Sequence, residues 1–389
     1  MRAASGSIPA RAAGVTSERR EPRLSVGVPQ MRGVALPDAF MPQPVGIVSL
    51  ETASAPFKLP QDEVLRAVLS HFGESFPLVA RLAPVFANSG IRARQAVRPI
   101  EWYLEARGWP ERSEVYLQGA LDLFCDAAGK ALEAAEISGA EVDIIVTAST
   151  TGIATPTLEA RAMTRMGFRP DAARVPVFGI GCAAGASGLA LASRLAAAQP
   201  GATVLFVTVE LCTLAFRNAG VSATDIVATA LFGDGAAACV LRSDAEGFAH
   251  VTSYAEHTWP DTLDVMGWRV DDSGLGVVLS QSVPPFVQKK LRPAMDAMLA
   301  AQGLDYDAVD RFICHPGGAK VVEALETALD LGQGALDVER EVLREHGNMS
   351  APTVLFVLDE IRRRGLPSRS VLAALGPGFT ASTVALAAA

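Results

Sequence analysis

Several features that define common protein classes are missing from this chain of 389 residues. It contains no basic block or stripe and its formal net charge is −8, which argues against nucleic acid as a partner. It contains no uncharged apolar run of about 18 residues, so we expect no membrane span. It also lacks a Walker phosphate loop and a Gly-x-Gly-x-x-Gly pattern after a predicted strand, so neither motif indicates a bound nucleotide.

Cysteine is scarce and shows no pairing pattern. The chain has five cysteines, an odd number, and no Cys-x-x-Cys pair, so the sequence indicates neither a disulfide framework nor a metal site. This cysteine usage fits a reducing compartment. A signal peptide would place an apolar segment after its first basic residues, and no such segment follows the first arginines here. We therefore expect a cytoplasmic protein.

The composition predicts a folded domain after an irregular start. Residues 1–40 are rich in Arg, Pro, Gly and Ala without periodicity, which predicts a disordered extension. Half of all residues are hydrophobic and a fifth are charged, enough for an extensive core with buried strands. Strands and helices alternate in both halves of the remaining chain, and polar residues follow the strand ends, which is typical of α/β layering.

One stretch, residues 175–186, is predicted to join a strand to a helix through a sharp turn that carries a cysteine. The apolar run 176–180 predicts a short buried strand, Gly181 permits a sharp turn, and the alanine-rich run 183–198 predicts a buried helix. Cys182 therefore lies at the start of a helix, where free N–H groups and the helix dipole favour the nucleophilic thiolate. This stretch alone leaves a second interpretation open, a small core cysteine beside a close-packed helix.

Two later stretches favour a catalytic interpretation. An apolar strand over residues 311–314 ends at His315, and a turn between two predicted helices carries Asn348. A lone His or Asn at a turn is usually structural. Cys182, His315 and Asn348 at the ends of three separate elements, however, match a nucleophile, a base and a polarising donor.

With these motifs the chain resembles the type III polyketide synthases, the chalcone-synthase-like group of the thiolase superfamily. The resemblance runs from about residue 44 to the C-terminus and rests on Gly181-Cys182 and on LFGDGAA (231–237), HPGG (315–318), GNMS (347–350) and GPGF (376–379). It implies a thiolase-like, five-layered αβαβα fold built from two similar halves and a homodimer. Residues 41–245 would form the half that carries the nucleophile, and residues 246–389 the half that carries His and Asn.

The resemblance also implies a reaction. An acyl-coenzyme A would load its acyl group onto Cys182, and malonyl-coenzyme A would lose CO₂ with its thioester oxygen facing His315 and Asn348. The resulting carbanion would extend the acyl chain by two carbons, and the cycle would repeat. No metal and no other cofactor is expected, since decarboxylation drives the step and no redox change occurs.

Further site residues follow from the resemblance only. Thr155 would lie on a loop at the dimer interface, and Arg92 and Arg94 would face the coenzyme A phosphates, although a solvated basic patch explains the two arginines equally well. The predicted acyl cavity consists of Thr150, Thr151, Cys212, Leu214, Ala215, Phe232, Gly267, Val277, Ser350, Gly376, Pro377, Gly378 and Phe379.

The predicted cavity departs from that of the plant enzymes. Val277 stands where they carry phenylalanine, and Ala215 and Cys212 stand where they carry threonine. The larger, less polar pocket predicts a medium- or long-chain fatty acyl starter and an alkylpyrone or alkylresorcinol product, unless neighbouring residues fill the space. Three alternatives remain: a malonyl-primed synthase of the tetrahydroxynaphthalene type, a ketoacyl synthase III with one condensation, and an inactive acyl-binding relative.

Overall fold

The computed structural model describes residues 44–72, 77–217, 222–272 and 274–389, and these belong to one compact unit. The predicted disordered extension, residues 1–40, lies outside these ranges. Within the described ranges, no helix is both long and apolar enough to cross a membrane.

Strands and helices alternate along the described residues, as predicted. The strands are β1 (Val45–Ser54), β2 (Phe57–Pro60), β3 (Ala93–Ala96), β4 (Ile144–Ala148), β5 (Ala173–Val177), β6 (Val204–Leu211), β7 (Asp234–Arg242), β8 (Ala249–Thr258), β9 (Met266–Asp271), β10 (Gly274–Leu279), β11 (Arg311–Cys314), β12 (Arg369–Gly376) and β13 (Thr380–Ala388). The helices are α1 (Gln61–Phe72), α2 (Pro77–Leu82), α3 (Pro84–Asn88), α4 (Ile100–Leu104), α5 (Trp109–Ala134), α6 (Leu158–Met166), α7 (Ala184–Ala198), α8 (Ala223–Leu231), α9 (Val283–Ala301), α10 (Ala319–Ala328), α11 (Asp337–His346) and α12 (Ala351–Gly365).

The main sheet repeats one arrangement on its two sides. Its strand order is β11-β12-β13-β8-β1-β7-β6-β4-β5, and the antiparallel pair β1–β8 joins the two sides. On one side β7 and β6 follow β1 in antiparallel pairing, and β4 is parallel to β6. On the other side β13 and β12 follow β8 in the same way, and β11 is parallel to β12. Over these four strands on each side the two halves of the chain share one topology, and β5 has no counterpart among the described strands of this sheet.

Three apolar clusters define the layers. Because successive strand residues point to opposite faces, Leu205 of β6 packs towards α5, while its neighbour Phe206 packs towards α7 and α12. In the other half, Leu372 of β12 faces the same central helices, and Val371 faces α9 and α10. The layers run from α5, through the β1 side of the sheet, to the central helices α7 and α12. They continue through the β8 side of the sheet to α9 and α10. This confirms the predicted five-layered αβαβα fold.

The strand before Cys182 differs from the prediction. We expected a buried strand over residues 176–180, but β5 spans Ala173–Val177 and most of its residues are partly or fully exposed. The physical reason is its place at the edge of the sheet, where it pairs with β4 alone. The following helix, α7, begins within one residue of its predicted start, and ten of its fifteen residues are buried.

Candidate active site

Close packing of α7 against α12 brings Cys182 and Asn348 towards each other, since each precedes the start of one of these helices. A Cβ on Gly185 would lie 2.4 Å from the Ala351 carbonyl oxygen, so glycine is required for this approach. Cys182 itself sits in a short 3-10 turn, Gly181–Ala183, just ahead of α7.

The turn that carries Cys182 also depends on a glycine. Gly181 has φ +54°, a left-handed conformation, and a Cβ there would lie 2.7 Å from the ring of Pro377. The Gly181 N–H donates to the Thr150 hydroxyl at 3.2 Å. The nucleophile's turn is therefore fixed from two sides.

The thiol of Cys182 is buried, with 8% of the residue exposed. Burial raises the pKa of Cys182 to about 11, a hydrogen bond with Ser350 lowers it, and the nearby carboxyl of Glu210 raises it further. The sequence predicted a lowered pKa from the helix start. The structure gives the opposite direction, because burial destabilises the thiolate by more than the helix start stabilises it.

His315 follows β11, and its backbone N–H donates to the Ala373 carbonyl at 2.9 Å. Only 5% of His315 is exposed, and neither ring nitrogen has a hydrogen-bond partner among the described residues. Burial lowers the pKa of His315 to about 4, so the imidazole is neutral at pH 7. Burial thus favours the neutral form of each group, and the thiolate–imidazolium pair that the sequence suggested remains a prediction.

The amide of Asn348 is held in one orientation. Its Oδ1 accepts the Ser350 N–H at 2.8 Å, and its Nδ2 donates to the Gly317 carbonyl at 3.1 Å. These contacts identify the nitrogen end of the amide and leave one of its two hydrogens free. Since Asn348 lines the same cavity as Cys182 and His315, that hydrogen is available to a ligand.

The three predicted catalytic residues line one cavity of about 480 Å³. Most of its lining is apolar, and Cys182 and His315 are among its buried residues. The predicted lining residues found in its wall are Thr150, Thr151, Cys212, Phe232, Gly267, Val277, Ser350 and Pro377.

Five of the predicted cavity residues lie elsewhere. Leu214 and Ala215 line a separate space of about 20 Å³, and Ala215 also borders another of about 60 Å³. Phe379 is fully buried and stacks on Trp259, and neither Gly376 nor Gly378 lines the main cavity. Leu214 and Phe379 pack into the core, and the two glycines have no side chain to place in a cavity wall, so these positions do not line the main cavity.

The two predicted coenzyme A arginines are also placed elsewhere. Arg92 is exposed and pairs with Glu345, and it does not line the cavity. Arg94 is 2% exposed and its guanidinium donates to the carbonyls of Thr229, Ala230 and Phe232. Arg94 therefore closes the end of α8 and has no free face for a phosphate.

Thr155 lies on an exposed loop, and its carbonyl accepts a hydrogen bond from Arg161 at 3.5 Å. Ile153 on the same loop is 57% exposed, and Phe178 beside the edge strand is 59% exposed. The predicted dimer role of Thr155 remains a prediction.

Sequence reasoning missed a buried carboxyl beside the cavity. Glu210, at the end of β6, accepts hydrogen bonds from the N–H groups of Thr150 and Thr151 and from the Thr151 hydroxyl. Burial raises the pKa of Glu210 to about 7. One signal was present, since an acid closes the otherwise apolar strand TVLFVTVE. Glu210 fixes the two threonines that the sequence did identify.

A second missed carboxyl belongs to the LFGDGAA motif. Asp234 is fully buried and accepts hydrogen bonds from the N–H groups of Val97 at 2.9 Å and Thr213 at 2.8 Å. It thereby holds the short 3-10 segment Cys212–Ala215, which supplies part of the cavity wall. No cluster of three or more His, Cys, Asp or Glu with metal-binding geometry occurs in the described ranges.

A buried cysteine at a helix start, an unpartnered imidazole and an oriented amide in one cavity define a condensing acyltransferase of thiolase-like fold. Comparison with known proteins agrees. The family described as "Chalcone and stilbene synthases, N-terminal domain" matches residues 104–245, and the corresponding C-terminal domain matches residues 250–389.

Individual relatives point the same way. A 1,3,6,8-tetrahydroxynaphthalene synthase of Streptomyces peucetius subsp. caesius is 38% identical over 87% of this chain and 92% of its own length. A putative chalcone synthase of Bacillus subtilis is 33% identical over 86% of this chain and 96% of its own length. A crystal structure of 1,3,6,8-tetrahydroxynaphthalene synthase from Streptomyces coelicolor A3(2), a bacterial type III polyketide synthase, matches this fold with a TM-score of 0.84. The match covers 88% of this chain and 99% of that one, at 28% sequence identity.

The chain belongs to the chalcone and stilbene synthase family and is a type III polyketide synthase, an enzyme of the acyltransferase class. The family uses malonyl-coenzyme A and acyl-coenzyme A as substrates. Two of these three proteins are tetrahydroxynaphthalene synthases, and none of the three is named as an alkylpyrone or alkylresorcinol synthase.

Proposed function

We propose that this enzyme extends an acyl group held on Cys182 by repeated decarboxylative addition of two-carbon units from malonyl-coenzyme A. The observation that carries the proposal is the cavity in which Cys182, His315 and Asn348 meet, with both ring nitrogens of His315 unpartnered. A neutral imidazole has one nitrogen that accepts a proton and one that donates a hydrogen bond. Both steps of the reaction use this property.

Loading is the first step. The Cys182 sulfur attacks the carbonyl carbon of the acyl-coenzyme A thioester, and its proton passes to His315. The bond between carbonyl carbon and coenzyme A sulfur breaks, and the proton leaves with the coenzyme A thiol. A base within the cavity is needed because burial raises the pKa of Cys182 to about 11, which leaves little thiolate at neutral pH.

Decarboxylation is the second step. The thioester oxygen of malonyl-coenzyme A accepts hydrogen bonds from His315 and from the free Nδ2 hydrogen of Asn348. The carbon–carbon bond to the carboxylate breaks and CO₂ leaves. The electron pair of that bond stays on the remaining fragment and forms an enolate, whose negative charge rests on the thioester oxygen. Removing one preorganised donor of this kind typically costs about 3–4 kcal/mol of barrier. The enolate carbon then attacks the Cys182 thioester and releases the thiolate.

We further propose a medium- or long-chain fatty acyl starter, with an alkylpyrone or alkylresorcinol as product. Support comes from a second space of about 60 Å³ that Cys212 and Phe232 share with the main cavity. Its remaining walls are mostly apolar, and Ala215, one of the small residues that suggested this starter, borders it. The residues Leu59, Val64, Val68, Ile100, Leu104 and Phe216 also line it. The end of an alkyl chain that passes Cys212 would be buried there.

The second candidate is a malonyl-primed synthase that makes a tetrahydroxynaphthalene-type product. The observation in its favour is the 38% identity to a tetrahydroxynaphthalene synthase over 92% of that protein. In this case malonyl-coenzyme A supplies both the starter and the extender units, and the space beyond Cys212 holds no alkyl chain.

One experiment separates the two. The enzyme is incubated with malonyl-coenzyme A alone and with acetyl, hexanoyl, lauroyl, palmitoyl or an aromatic acyl starter, and products are identified by mass spectrometry. Products whose mass grows with the fatty starter support the first proposal. A product from malonyl-coenzyme A alone, unchanged by added starters, supports the second. No condensation product in any reaction would refute both, and Cys182→Ala is the matched inactive control.

We also propose that two copies pair through the edge of the main sheet beside β5. The edge strand is largely exposed, and Phe178 and Ile153 place apolar side chains next to it. Phe178→Asp should convert a dimer into a monomer in light scattering after gel filtration. Leu263→Asp, at a residue 84% exposed, is the control that should leave the mass unchanged. A monomeric wild-type chain would refute the proposal.

A further inference from the structure

Part of the wall of the main cavity lies outside the main sheet. Strands β9 and β10 pair antiparallel with each other and form a two-stranded sheet of their own. Residues from both strands line the main cavity: Met266, Gly267, Trp268, Val277, Val278 and Leu279. Two paired strands are at best marginally stable by themselves in water, so contacts with the rest of the chain determine where this wall lies.

Arg217 contacts both strands of this pair. Its Nη1 donates to the Asp271 carboxylate at 2.7 Å, and its Nη2 donates to the Gly274 carbonyl at 3.2 Å. Asp271 is the last residue of β9, Gly274 is the first residue of β10, and the two are register partners. Only 11% of the Arg217 side chain is exposed. One guanidinium therefore joins both strands at the same end of the pair, in a fork geometry that lysine lacks.

The sequence of β10 leaves room for this guanidinium. A Cβ on Gly276 would lie 2.6 Å from Arg217 Nη2, so the strand comes this close only because residue 276 has no side chain. Two residues earlier, a Cβ on Gly274 would lie 2.1 Å from the ring of Trp109 on α5. The strand therefore lies directly on two side chains from the half of the chain that carries Cys182.

The chain just before Arg217 is itself firmly held. Arg112 on α5 donates to the carbonyls of Leu214 and Phe216. Asp234 holds the preceding 3-10 segment through its hydrogen bonds with the N–H and the hydroxyl of residue 213. Arg217 therefore extends from a fixed segment, and its side chain transfers the position of that segment to β9 and β10.

We propose that Arg217 sets the width of the main cavity, because it holds the β9–β10 pair in place against the half of the chain that carries Cys182. This inference rests on the proposed function and adds a residue that determines which acyl chains fit. Arg217 does not line the main cavity. It is therefore a positioning residue, which acts through wall residues such as Val277 and takes no part in the chemical steps.

The first test measures starter discrimination in Arg217→Met, which keeps much of the side chain's length and removes its charge and N–H donors. The full chain is assayed for kcat/KM with each starter of the panel. We expect the ratio of kcat/KM between the best and the poorest fatty acyl starter to fall at least about threefold. If the enzyme is malonyl-primed, the products from malonyl-coenzyme A alone should instead spread over more chain lengths.

Three further variants show whether the contact itself is responsible. Asp271→Asn should lower the ratio in the same direction, and Arg217→Lys should recover part of it, because lysine can still pair with Asp271. The matched control is Arg169→Met, which removes an ion pair with Asp143 and a contact with the Ala140 carbonyl outside the main cavity. It should leave the ratio unchanged.

Hydrogen exchange, followed by mass spectrometry, supplies a readout that does not depend on turnover. Peptides from β9 and β10 should exchange at least about fivefold faster in Arg217→Met, while peptides from β6 and β7 should match wild type. An unchanged starter ratio and product spread in Arg217→Met would overturn the inference, and so would exchange that rises equally in all strands or not at all.

Two outcomes need a separate reading. If Arg217→Met does not fold, Asp271→Asn decides by the same two criteria, since it keeps the guanidinium and its contact with the Gly274 carbonyl. If wild type forms no product from any substrate, the proposed function fails, and hydrogen exchange alone decides whether Arg217 holds β9 and β10 in place.

Discussion

Asn348 and Phe232 are joined by a parallel backbone bridge. The Asn348 N–H donates to the Leu231 carbonyl at 2.8 Å, and the Gly233 N–H donates to the Asn348 carbonyl at 3.0 Å. Phe232 belongs to the half of the chain that carries Cys182, and Asn348 to the half that carries His315. The bridge therefore fixes the distance between an aromatic wall residue of one half and the proposed amide donor of the other.

Asn348→Ala should separate the two steps of the reaction. Removing the amide deletes one donor to the enolate oxygen, so CO₂ release from malonyl-coenzyme A should fall about a hundredfold or more. Loading of Cys182 does not use this amide and should persist. CO₂ release is measured by a coupled assay and loading by intact-protein mass spectrometry. Equal loss of both steps would contradict the role assigned to Asn348, and Asn88→Ala, exposed at the cavity mouth, is the control.

Val277→Phe should shorten the preferred starter. Val277 lines the main cavity on β10, and a phenyl ring there fills space that an alkyl chain would occupy. Product yields from the starter panel should shift from long to short acyl chains. The matched control is Val270→Phe on the neighbouring strand β9, where the residue is 73% exposed. An unchanged chain-length profile in Val277→Phe would remove the basis for a fatty starter.

Asp234→Asn should destabilise the fold more than the same substitution at the surface. Both carboxylate oxygens of Asp234 accept hydrogen bonds, from two backbone N–H groups and the Thr213 hydroxyl. Asparagine has only one accepting oxygen, so its NH₂ group would face a hydrogen-bond donor and remain unpaired. A buried unsatisfied donor costs about 1–3 kcal/mol of unfolding free energy. Asp126→Asn breaks an exposed pair with Lys130 and should cost less than about 1 kcal/mol. Urea unfolding measures both, and equal costs would contradict this account of Asp234.

The reactivity of Cys182 should depend on pH in the manner of a neutral thiol. Because burial raises its pKa to about 11, the thiolate fraction and the rate of inactivation by iodoacetamide should rise about tenfold per pH unit between pH 7 and 9. The slope should be clearest in His315→Ala, which lacks the base that takes the proton of the thiol in the proposed loading step. A fast rate that is constant from pH 6 to 9 in His315→Ala would contradict a raised pKa of Cys182.

The parts that could be predicted from sequence are those that local patterns determine. Gly181 before Cys182, the strand that ends at His315 and the turn at Asn348 each have a signature within a few residues, and the structure brings all three to one cavity. The apolar run of α7 and the alternation of strands and helices likewise predict a layered fold.

The remainder depends on contacts between distant segments. The burial of Arg94 follows from its position against the carbonyls at the end of α8, which lies about 135 residues further along the chain. Ala215 and Phe379 face away from the main cavity because of how their loops pack. The direction of the Cys182 pKa shift was wrong for the same reason, since the helix start is local and the desolvation comes from the whole fold.

The most direct test of the account is to locate the acyl group. Wild type, Cys182→Ala and the control Cys239→Ala, a buried residue of β7 outside the cavity, are incubated with lauroyl-coenzyme A, digested and analysed by mass spectrometry. We predict one lauroyl group on the peptide that contains Cys182, extended by two-carbon units after malonyl-coenzyme A is added, and no adduct in Cys182→Ala. An adduct on Cys212 or another residue, or extension in Cys182→Ala, would contradict the central claim.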